Sequence, residues 1–427
     1  MTETSELTSL LTVLVVGQGN VGLPLAMRSV EVGHRVVGFD TDARRIRRLG
    51  EGDSYVDDVT PAELADALAT GRYEPTSHEC DCAEFDVALI TVPTPLHEGT
   101  PDLSFVVAAG EMLGAHLRRG NCVVLESTTY PGTTKELLAP IFEKRSGLVA
   151  GEDFHLGYSP ERIDPGNKTW GLENTPKIVS GVSASSLQAI ESFYGTLVER
   201  TVAVSGTGEA ELAKLIENTF RHVNIALVNE LAMFAGDLSV DIWEALDAAA
   251  TKPFGFMRFS PGPGVGGHCL PVDPSYLSWR VKQRLGLSFR FVELANDVNE
   301  NMPHYVVQRL VLAFNRNSRA IRGSRVLLLG LAYKANTSDA LESPSLVLAD
   351  QLLALGAEVR AADPHVKEVQ LDPRIQLVEL CEEEVAAADA VVLLTDHDAF
   401  DYALVVAHAR YVLDTRGRLV GDRVEHL

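Results

Sequence analysis

One cysteine of the sequence lies in a loop suited to close contact with a ligand. Cys269 follows His268 within Pro261–Pro274, PGPGVGGHCLPVDP, where four glycines are flanked by prolines. Glycines let a backbone approach a ligand closely, and prolines restrict the freedom of the loop. An isolated cysteine is usually a small buried hydrophobic residue, but a thiolate beside a histidine is a nucleophile. The glycine context favours the nucleophile.

A second group of residues could hold a dinucleotide. The turn Gly17-Gln-Gly19-Asn-Val-Gly22 follows a β-branched apolar run and precedes a helix-compatible stretch. Gly17 permits the tight turn, Gly19 admits a pyrophosphate, and Gly22 lets the helix pack on the strand. The phosphate then lies at the N-terminus of the helix.

An acidic residue supports this interpretation. Asp40 stands eighteen residues after Gly22, at the end of a second apolar strand. Its carboxylate would accept from both ribose hydroxyls and repel a 2′-phosphate, which favours NAD over NADP. Arg44 and Arg45 weaken this preference, since either could receive a 2′-phosphate.

Lys214 and Asn218 are four residues apart in a helical stretch and share one face, with Arg221 near them. Alone, they indicate a solvated polar face. Together with a hydride-accepting cofactor and a nucleophilic Cys269, they suggest an oxidation through a thioester. An alcohol is oxidised to an aldehyde, the thiol adds to it, a second oxidation gives a thioester, and water releases an acid.

Strands alternate with helices towards both ends of the chain, and these elements must position the residues described above. This alternation predicts parallel sheets with right-handed crossovers. A Pro-free stretch from Glu209 to about Gly236 predicts one long helix between them, and helix is expected again at Val240–Ala250 and Arg290–Asn299. The stretch Ser260–Pro274 is expected to be a loop. Predicted strands are Thr12–Val16, Arg35–Phe39, Asp86–Thr91, Cys122–Glu126, Arg325–Gly330, Glu358–Ala362, Ala390–Thr395 and Arg410–Asp414.

Composition excludes several classes of protein. The chain has 427 residues, a net charge of -22 and 46% hydrophobic residues, which is typical of a globular protein of two or three domains. The negative charge disfavours nucleic acid and anionic membrane surfaces as partners. Five scattered cysteines predict no disulfide framework. The acidic N-terminus and the absence of a long apolar run lead us to expect a cytoplasmic protein.

Motifs along nearly the whole chain resemble the UDP-glucose/GDP-mannose dehydrogenase superfamily, the four-electron nucleotide-sugar 6-dehydrogenases. They are GQGNVG, Pro93-Thr94-Pro95, Glu126-Ser127-Thr128, Pro131-Gly132-Thr133-Thr134, Ser159-Pro160-Glu161-Arg162, the Lys214/Asn218 helix, Gly266-Gly267-His268-Cys269 and Gly330-Leu-Ala-Tyr333-Lys334. Asp102-Leu103-Ser104, SPERIDPGNKTW and FGFM…PGPGVGGHC are most similar to the UDP-N-acetylglucosamine 6-dehydrogenase branch. The UDP-N-acetylmannosamine enzymes are near neighbours.

The resemblance implies an α/β fold: two Rossmann-like, doubly wound parallel-sheet domains joined by a central helical domain with one long helix. The expected domains are an NAD-binding domain at 1–205, a central helical domain at 206–305 and a UDP-binding domain at 306–427. The long helix is also the usual dimer-forming element, so we expect a homodimer.

The resemblance also implies roles for individual residues. Cys269 is the expected nucleophile, Lys214 and Asn218 bind the sugar and stabilise the oxyanion, and Asp273 positions or activates water. Glu161 and Thr128 hold a catalytic water or act in proton transfer. The NAD site is expected at Gly17, Gly19, Asn20, Val21, Gly22, Asp40, Arg45, Pro93, Thr94 and Thr128. The UDP-sugar site is expected at Glu161, Arg162, Ile163, Asp164, Lys214, Asn218, Arg221, Gly266, Gly267, Tyr333, Lys334 and Arg416.

The implied activity is NAD-dependent oxidation of a UDP-sugar at C6, with UDP-N-acetylglucosamine as the leading substrate and UDP-glucose or UDP-N-acetylmannosamine as alternatives. One departure keeps another class open, a nucleotide-sugar-binding protein without turnover. Leu341 stands where the family has an Arg that reaches NAD. Loss of that contact would weaken cofactor binding about ten- to a hundredfold unless another cation compensates.

Other candidate residues are assigned no chemistry. His78, Cys80 and Cys82 resemble part of a metal site, but zinc sites need four well-spaced ligands, and we expect no metal. Asp396-His397-Asp398 is interpreted as a loop after a strand, and His222 and His304 as ordinary helical residues.

Overall fold

Contiguous β-branched and leucine-rich runs form the strands, as expected for sheets buried on both faces. The computed structural model describes residues 10–97, 99–164, 167, 169–267, 270–366 and 371–427. They form two compact units, Met1–Glu217 and Asn218–Leu427, and each is described by itself.

The first unit is built on an eight-stranded sheet of order β10-β9-β8-β7-β4-β1-β2-β3. Its strands are β1 Thr12–Val16, β2 Arg35–Phe39, β3 Tyr73–Thr76, β4 Val87–Ile90, β7 Cys122–Leu125, β8 His155–Tyr158, β9 Lys177–Gly181 and β10 Thr201–Ala203, and a separate hairpin pairs β5 Leu96–His97 with β6 Thr100–Pro101. Its helices are α1 Gly22–Glu31, α2 Ala43–Gly50, α3 Pro61–Ala69, α4 Ser104–His116, α5 Ala139–Ser146 and α6 Ala184–Leu197, with a 3-10 turn at Glu79–Cys82 and a π-helical turn at Thr133–Leu138.

The ladders of this sheet are parallel except for one pair, because β8 and β9 run antiparallel. Parallel neighbours need a crossover, usually a helix, and the described residues between β8 and β9 form none. Strand order reverses between β1 and β4, which places the carboxyl ends of these strands at a topological switch point.

The helix α7, Thr207–Ala235, begins in the first unit and continues into the second. The other helices of the second unit are α8 Ile242–Ala250, α9 Asp273–Leu285, α10 Arg290–Arg316, α11 Pro344–Leu355, α12 Glu382–Ala387 and α13 Tyr402–His408. Its strands β11 Arg325–Leu329, β12 Glu358–Ala362, β13 Gln376–Leu377, β14 Ala390–Leu393, β15 Val412–Asp414 and β16 Val424–His426 form a parallel sheet of order β13-β12-β11-β14-β15-β16.

The α/β fold and the long helix expected from the sequence are confirmed, and two differences from expectation concern the glycine-rich loop and the helix that it contacts. Helix was expected to end near Asn299, but α10 continues to Arg316 with Pro303 inside it. Pro303 cannot donate to the Asn299 carbonyl, and Gly264 of the glycine-rich loop packs there: a Cβ on Gly264 would lie 3.1 Å from that oxygen. The loop also ends earlier than expected, because Asp273 and Pro274 already form the first turn of α9.

Candidate active site

The glycine turn after β1 has the shape that a dinucleotide phosphate requires. Gly17 has φ +97°, and the Thr91 hydroxyl donates to its carbonyl at 2.9 Å. A Cβ on Gly22 would lie 1.9 Å from the Gly17 oxygen, so Gly22 is needed for helix α1 to pack on the turn. A Cβ on Gly19 would meet no atom within 4 Å. The space beside Gly19 therefore fits a pyrophosphate at the N-terminus of α1.

Asp40 follows β2 at the same edge of the sheet and is 7% exposed. One of its carboxylate oxygens accepts the N–H of Gln18 at 3.0 Å, and the other accepts the N–H of Asp42 at 2.9 Å. A carboxylate has about four acceptor positions, so two remain for ribose hydroxyls. Gly19 and Asp40 together fit NAD.

Basic residues of α2 line a depression beside Asp40. The Arg45 guanidinium lies 3.7 Å from the Asp40 carboxylate and over the ring of Tyr55. Arg44 is held by Asp42 at 3.0 Å, and its hydrogen bonds lower the pKa of Asp42 to about 2. Of the two arginines, Arg45 is the one that lies beside the Asp40 carboxylate.

The other residues expected at the cofactor lie in loops at the carboxyl ends of the strands. Asn20 is exposed and Val21 half-buried immediately before α1, in the turn itself. Pro93 is exposed and Thr94 half-buried after β4, while Thr128 is half-buried after β7. They therefore belong to the same edge as Gly17 and Asp40.

Glu161 lies near this edge, just after β8, and its carboxylate is held on both oxygens. The backbone N–H groups of Arg162 and Ile163 donate to one oxygen at 2.6 Å each. The ammonium group of Lys177 lies 3.2 Å from the other oxygen. Burial alone would raise the pKa of Glu161, but Lys177, these bonds and the charge of Lys214 lower it. Glu161 is thus an ionised acceptor.

Other expected substrate residues of the first unit differ in how they are held. Lys214 is half-buried on α7 and lies within electrostatic range of Glu161. Arg162 is fixed inside the unit, since it pairs with Glu217 at 2.6 Å and donates to the Pro176 carbonyl at 2.7 Å. Ile163 and Asp164 are half-buried in the loop that follows Glu161.

In the second unit, Asn218 of α7 and Asp273 of α9 are brought together. The Asn218 amide donates to the Asp273 carboxylate, which is 3% exposed in the first turn of α9. An acid in this position is stabilised by the helix dipole. The predicted nucleophile Cys269 and its neighbour His268 lie outside the described residues.

The glycines before Cys269 allow two side chains and one backbone carbonyl to approach the loop closely. A Cβ on Gly262 would lie 2.7 Å from a terminal nitrogen of Arg416, and one on Gly267 would lie 2.7 Å from the ring of Tyr333. Gly267 also donates its N–H to the Leu341 carbonyl at 3.1 Å. The expected substrate residues Gly266, Gly267, Tyr333 and Arg416 therefore meet in one place.

This loop forms one wall of a cavity of about 310 Å³. Among the described residues of its lining, the cavity brings together the basic side chains of Arg221, Lys334 and Arg416 with the acidic side chain of Asp396. The buried Nε of Arg416 lies 3.5 Å from Asp396 and makes no hydrogen bond within the described part of the chain. Such a cavity fits a diphosphate.

Asp363, which the sequence did not identify as a site residue, holds the backbone segment that leads into this cavity. Asp363 follows β12 as Asp40 follows β2, but its buried carboxylate accepts the N–H groups of Leu331 and Ala332 at 2.7 and 3.0 Å and lies 3.0 Å from the Nε2 of His397. Burial would raise the pKa of Asp363, yet these bonds lower it well below its usual range. They fix the loop that leads into Tyr333.

A buried polar seam supports the glycine loop. Asn229 of α7 accepts the N–H of Gly262 at 2.9 Å and donates to Asn299 of α10 at 2.9 Å. His222, expected to be an ordinary helical residue, is 2% exposed and contacts Asn296 at 2.8 Å, and burial lowers its pKa. The polar spacing along α7 could have indicated this seam, but not its partners.

Two further results concern classes of site. Within the ranges described above, no three histidine, cysteine or acidic side chains are grouped as metal ligands would be. In the same part of the chain, none of the helices has both the length and the apolar character needed to cross a bilayer.

Comparison with known proteins places these features in a family. Three models of the UDP-glucose/GDP-mannose dehydrogenase family match the chain: the NAD-binding domain at residues 11–198, the central domain at 208–301 and the UDP-binding domain at 327–420.

Individual relatives match most of the chain. A UDP-N-acetyl-D-glucosamine 6-dehydrogenase of Pseudomonas aeruginosa is 38% identical over 91% of both chains. A UDP-N-acetyl-D-mannosamine dehydrogenase of Pyrococcus horikoshii is 35% identical over 91% of this chain and 90% of its own. The solved structure of a UDP-D-ManNAc dehydrogenase from Pyrococcus horikoshii superimposes with a TM-score of 0.88 at 32% identity, covering 97% of this chain and 98% of its own. The chain belongs to the UDP-glucose/GDP-mannose dehydrogenase family and is an NAD-dependent nucleotide-sugar dehydrogenase.

Proposed function

We propose that the protein oxidises the C6 hydroxyl of UDP-N-acetylglucosamine to a carboxylate. The balanced reaction consumes two NAD⁺ and one water and yields two NADH and three protons per sugar. The observation that carries the proposal is the cavity of the second unit. In a chain of net charge -22, it gathers Arg221, Lys334 and Arg416 beside a glycine wall. A local cluster of cations of this kind is what an anionic diphosphate requires.

Tyr333 and the cations divide the work of holding the nucleotide. Arginine forks bind phosphate oxygens in a fixed geometry, whereas Lys334 acts as a point charge. The Tyr333 ring lies against Gly267 and supplies an apolar surface for the uracil base. Asp363 keeps the preceding loop in place.

Bound NAD supplies the hydride acceptor for both oxidations. For this purpose Gly19 leaves room for its pyrophosphate, and Asp40 receives the ribose hydroxyls. Glu161, held as a carboxylate, accepts a proton or orients a water molecule. Lys214 and Asn218 donate to the oxyanion that develops at C6.

Cys269 adds its thiolate to the C6 aldehyde, and the resulting thiohemiacetal is oxidised to a thioester. Water then cleaves the thioester and frees the thiol. Asp273, a buried carboxylate bonded to Asn218, positions that water. The role of Cys269 comes from its sequence motif.

The test is a panel of UDP-N-acetylglucosamine, UDP-N-acetylmannosamine and UDP-glucose with NAD. We expect the highest kcat/KM for UDP-N-acetylglucosamine and two NADH formed per sugar consumed. The similarity to enzymes of both acetylated hexosamines makes UDP-N-acetylmannosamine the second candidate. A preference for UDP-glucose, or one NADH per sugar, would contradict the proposal.

A cysteine variant controls for the route. Cys269→Ser should lower turnover by at least about a thousandfold while NAD binding, measured by calorimetry, stays within about twofold of the wild type. Near-normal turnover would remove Cys269 from the mechanism without affecting the substrate assignment.

A further inference from the structure

A buried ammonium group lies between two carboxylates in the first unit. Lys177, the first residue of β9, is 3% exposed, and its Nζ lies 2.6 Å from Glu126 and 3.2 Å from Glu161. The Tyr194 hydroxyl donates to the second oxygen of Glu126. The sequence assigned no chemical role to Lys177, Glu126 or Tyr194.

Stability alone does not account for this group. Buried ion pairs are often no more stabilising than apolar side chains of similar volume, because each charge loses its hydration. One cation lies here between two carboxyl groups, and burial raises the pKa of Glu126, so the positive charge of Lys177 is matched or exceeded by the negative charge of the two acids. Burial of charged groups costs free energy, so the presence of this group indicates a role other than stability.

The contacts of Glu161 indicate what the Lys177 ammonium group does. Its first oxygen is fixed by the N–H groups of Arg162 and Ile163, so the orientation of the carboxylate depends on what holds the second oxygen. Lys177 makes that contact, and Glu126 with Tyr194 fixes Lys177 in turn. Among the residues that the structure describes, no solvent-exposed side chain takes part in this arrangement.

We propose that Lys177 is a positioning residue, which holds the Glu161 carboxylate ionised and in one orientation for the oxidation at C6. The proposal rests on the proposed function, since it places Glu161 in the reaction. Glu126 and Tyr194 form the support that keeps the Lys177 ammonium group in place.

The charged groups around Glu161 give the expected pH effect. Lys177 faces it from β9, Glu126 from the end of β7 and Lys214 from α7, while the neighbouring Arg162 is paired with Glu217. Without Lys177, the attraction of Lys214 remains, but burial and the repulsion of Glu126 then act against ionisation. The pKa of Glu161 therefore rises, and the acidic limb of the kcat profile moves to higher pH.

The experiment compares three variants on the panel sugar with the highest turnover. Lys177→Met should lower kcat about a hundredfold, change the KM of the nucleotide sugar less than about threefold and move the acidic limb upward by about one pH unit or more. Lys177→Arg should retain kcat within about tenfold of the wild type.

A double variant separates positioning from packing. The double variant, Lys177→Met with Glu126→Gln, leaves Glu161 as the one carboxylate of this group. It therefore removes the repulsion between the two acids and should recover most of the thermal stability lost by Lys177→Met. Its kcat should remain at least about tenfold low, because the second oxygen of Glu161 is still unheld. Wild-type kcat and an unchanged pH profile in this variant would overturn the proposal, even if Lys177→Met does not fold.

Arg28→Met is the matched control. Arg28 also contacts two carboxylates, Glu31 and Glu173, and donates to the Leu197 carbonyl in the same unit. Its loss should lower thermal stability without moving the pH profile. A shift of the profile in this control would show that the readout reports stability rather than Glu161.

A structural readout needs no turnover. In crystal structures of the double variant, the second oxygen of the Glu161 carboxylate, which Lys177 holds in the wild type, should turn away from its wild-type position. A carboxylate with both oxygens in their wild-type positions would contradict the proposal. If no panel sugar is oxidised, the proposed function fails, and this comparison still decides the role of Lys177.

Discussion

Asp363 and Asp372 have pKa values below their usual range for different reasons. Asp363 is buried and bonded to backbone amides and His397. Asp372 is half-buried beside the exposed Arg374, whose hydrogen bonds lower the pKa of Asp372 to about 2. At the scale of single residues, replacing each of these carboxylates by alanine therefore removes the same charge from a more buried and a less buried position. The comparison measures the effect of burial on stability.

We expect Asp363→Ala to cost about 3 kcal/mol of unfolding free energy at pH 7, because four backbone amides and a histidine lose their acceptor. The folded pKa of Asp363 lies below its unfolded value near 4. The contribution of the ionised Asp363 carboxylate to stability is therefore complete above about pH 4 and is lost as the pH falls further. The difference in unfolding free energy between variant and wild type should narrow in acid. Urea unfolding at pH 7 and at about pH 3 measures this difference at both pH values.

Asp372→Ala serves as the comparison, since ion pairs at the protein surface contribute little. It should unfold with the wild type at both pH values. An equal loss in both variants, or a gap for Asp363→Ala that widens in acid, would show that the bonds around Asp363 do not stabilise the folded state.

At the scale of elements, the turn between β1 and α1 separates a glycine needed for folding from one needed for the cofactor. A Cβ on Gly22 would overlap the Gly17 carbonyl, whereas one on Gly19 would point into open space. We expect Gly22→Ala to lower stability by about 1–3 kcal/mol or more. Gly19→Ala should unfold like the wild type but bind NAD at least about tenfold more weakly, since its methyl group occupies the pyrophosphate position.

Calorimetric titration with NAD and thermal unfolding of both variants make the test. Full NAD affinity in Gly19→Ala would place the pyrophosphate elsewhere. Unchanged stability in Gly22→Ala would show that α1 does not pack as tightly on the turn as a Cβ there implies.

The strands and the long helix were predictable because their signals are local. Runs such as TVLVV at β1 and RVVGF at β2 coincide with the observed strands, and GQGNVG with Asp40 gave the edge that fits NAD. The continuation of α10 past Pro303 was not predictable, because a proline in a helical pattern normally ends or kinks the helix, and the close approach of Gly264 to this segment joins residues far apart in sequence. The contacts of Lys177 and Asp363 join residues far apart in sequence, and no local pattern identifies such partners.

At the scale of the whole molecule, the structure shows an exposed apolar surface on α7, the helix from which the sequence predicted a homodimer. On the part of α7 in the second unit, Phe220, Leu227, Leu231 and Phe234 are exposed, with Leu227 53% accessible. Spacings of seven, four and three residues place them along one side of the helix. Exposed apolar rows of this kind mark protein–protein interfaces, and we propose that this one forms the homodimer.

Charge sets a condition on that assembly. Each chain carries -22, so two copies repel each other at low ionic strength, and salt screens the repulsion over about 10 Å at 0.1 M. Apolar contact must supply the attraction, so we expect the dimer to tighten as salt is raised. Leu227→Glu should be monomeric in sedimentation experiments at micromolar concentration, because it buries a charge in the interface. Val420→Glu, at an exposed apolar residue outside α7, adds the same charge and should remain dimeric. A dimer that persists in Leu227→Glu, or that weakens equally in both variants, would move the interface away from α7.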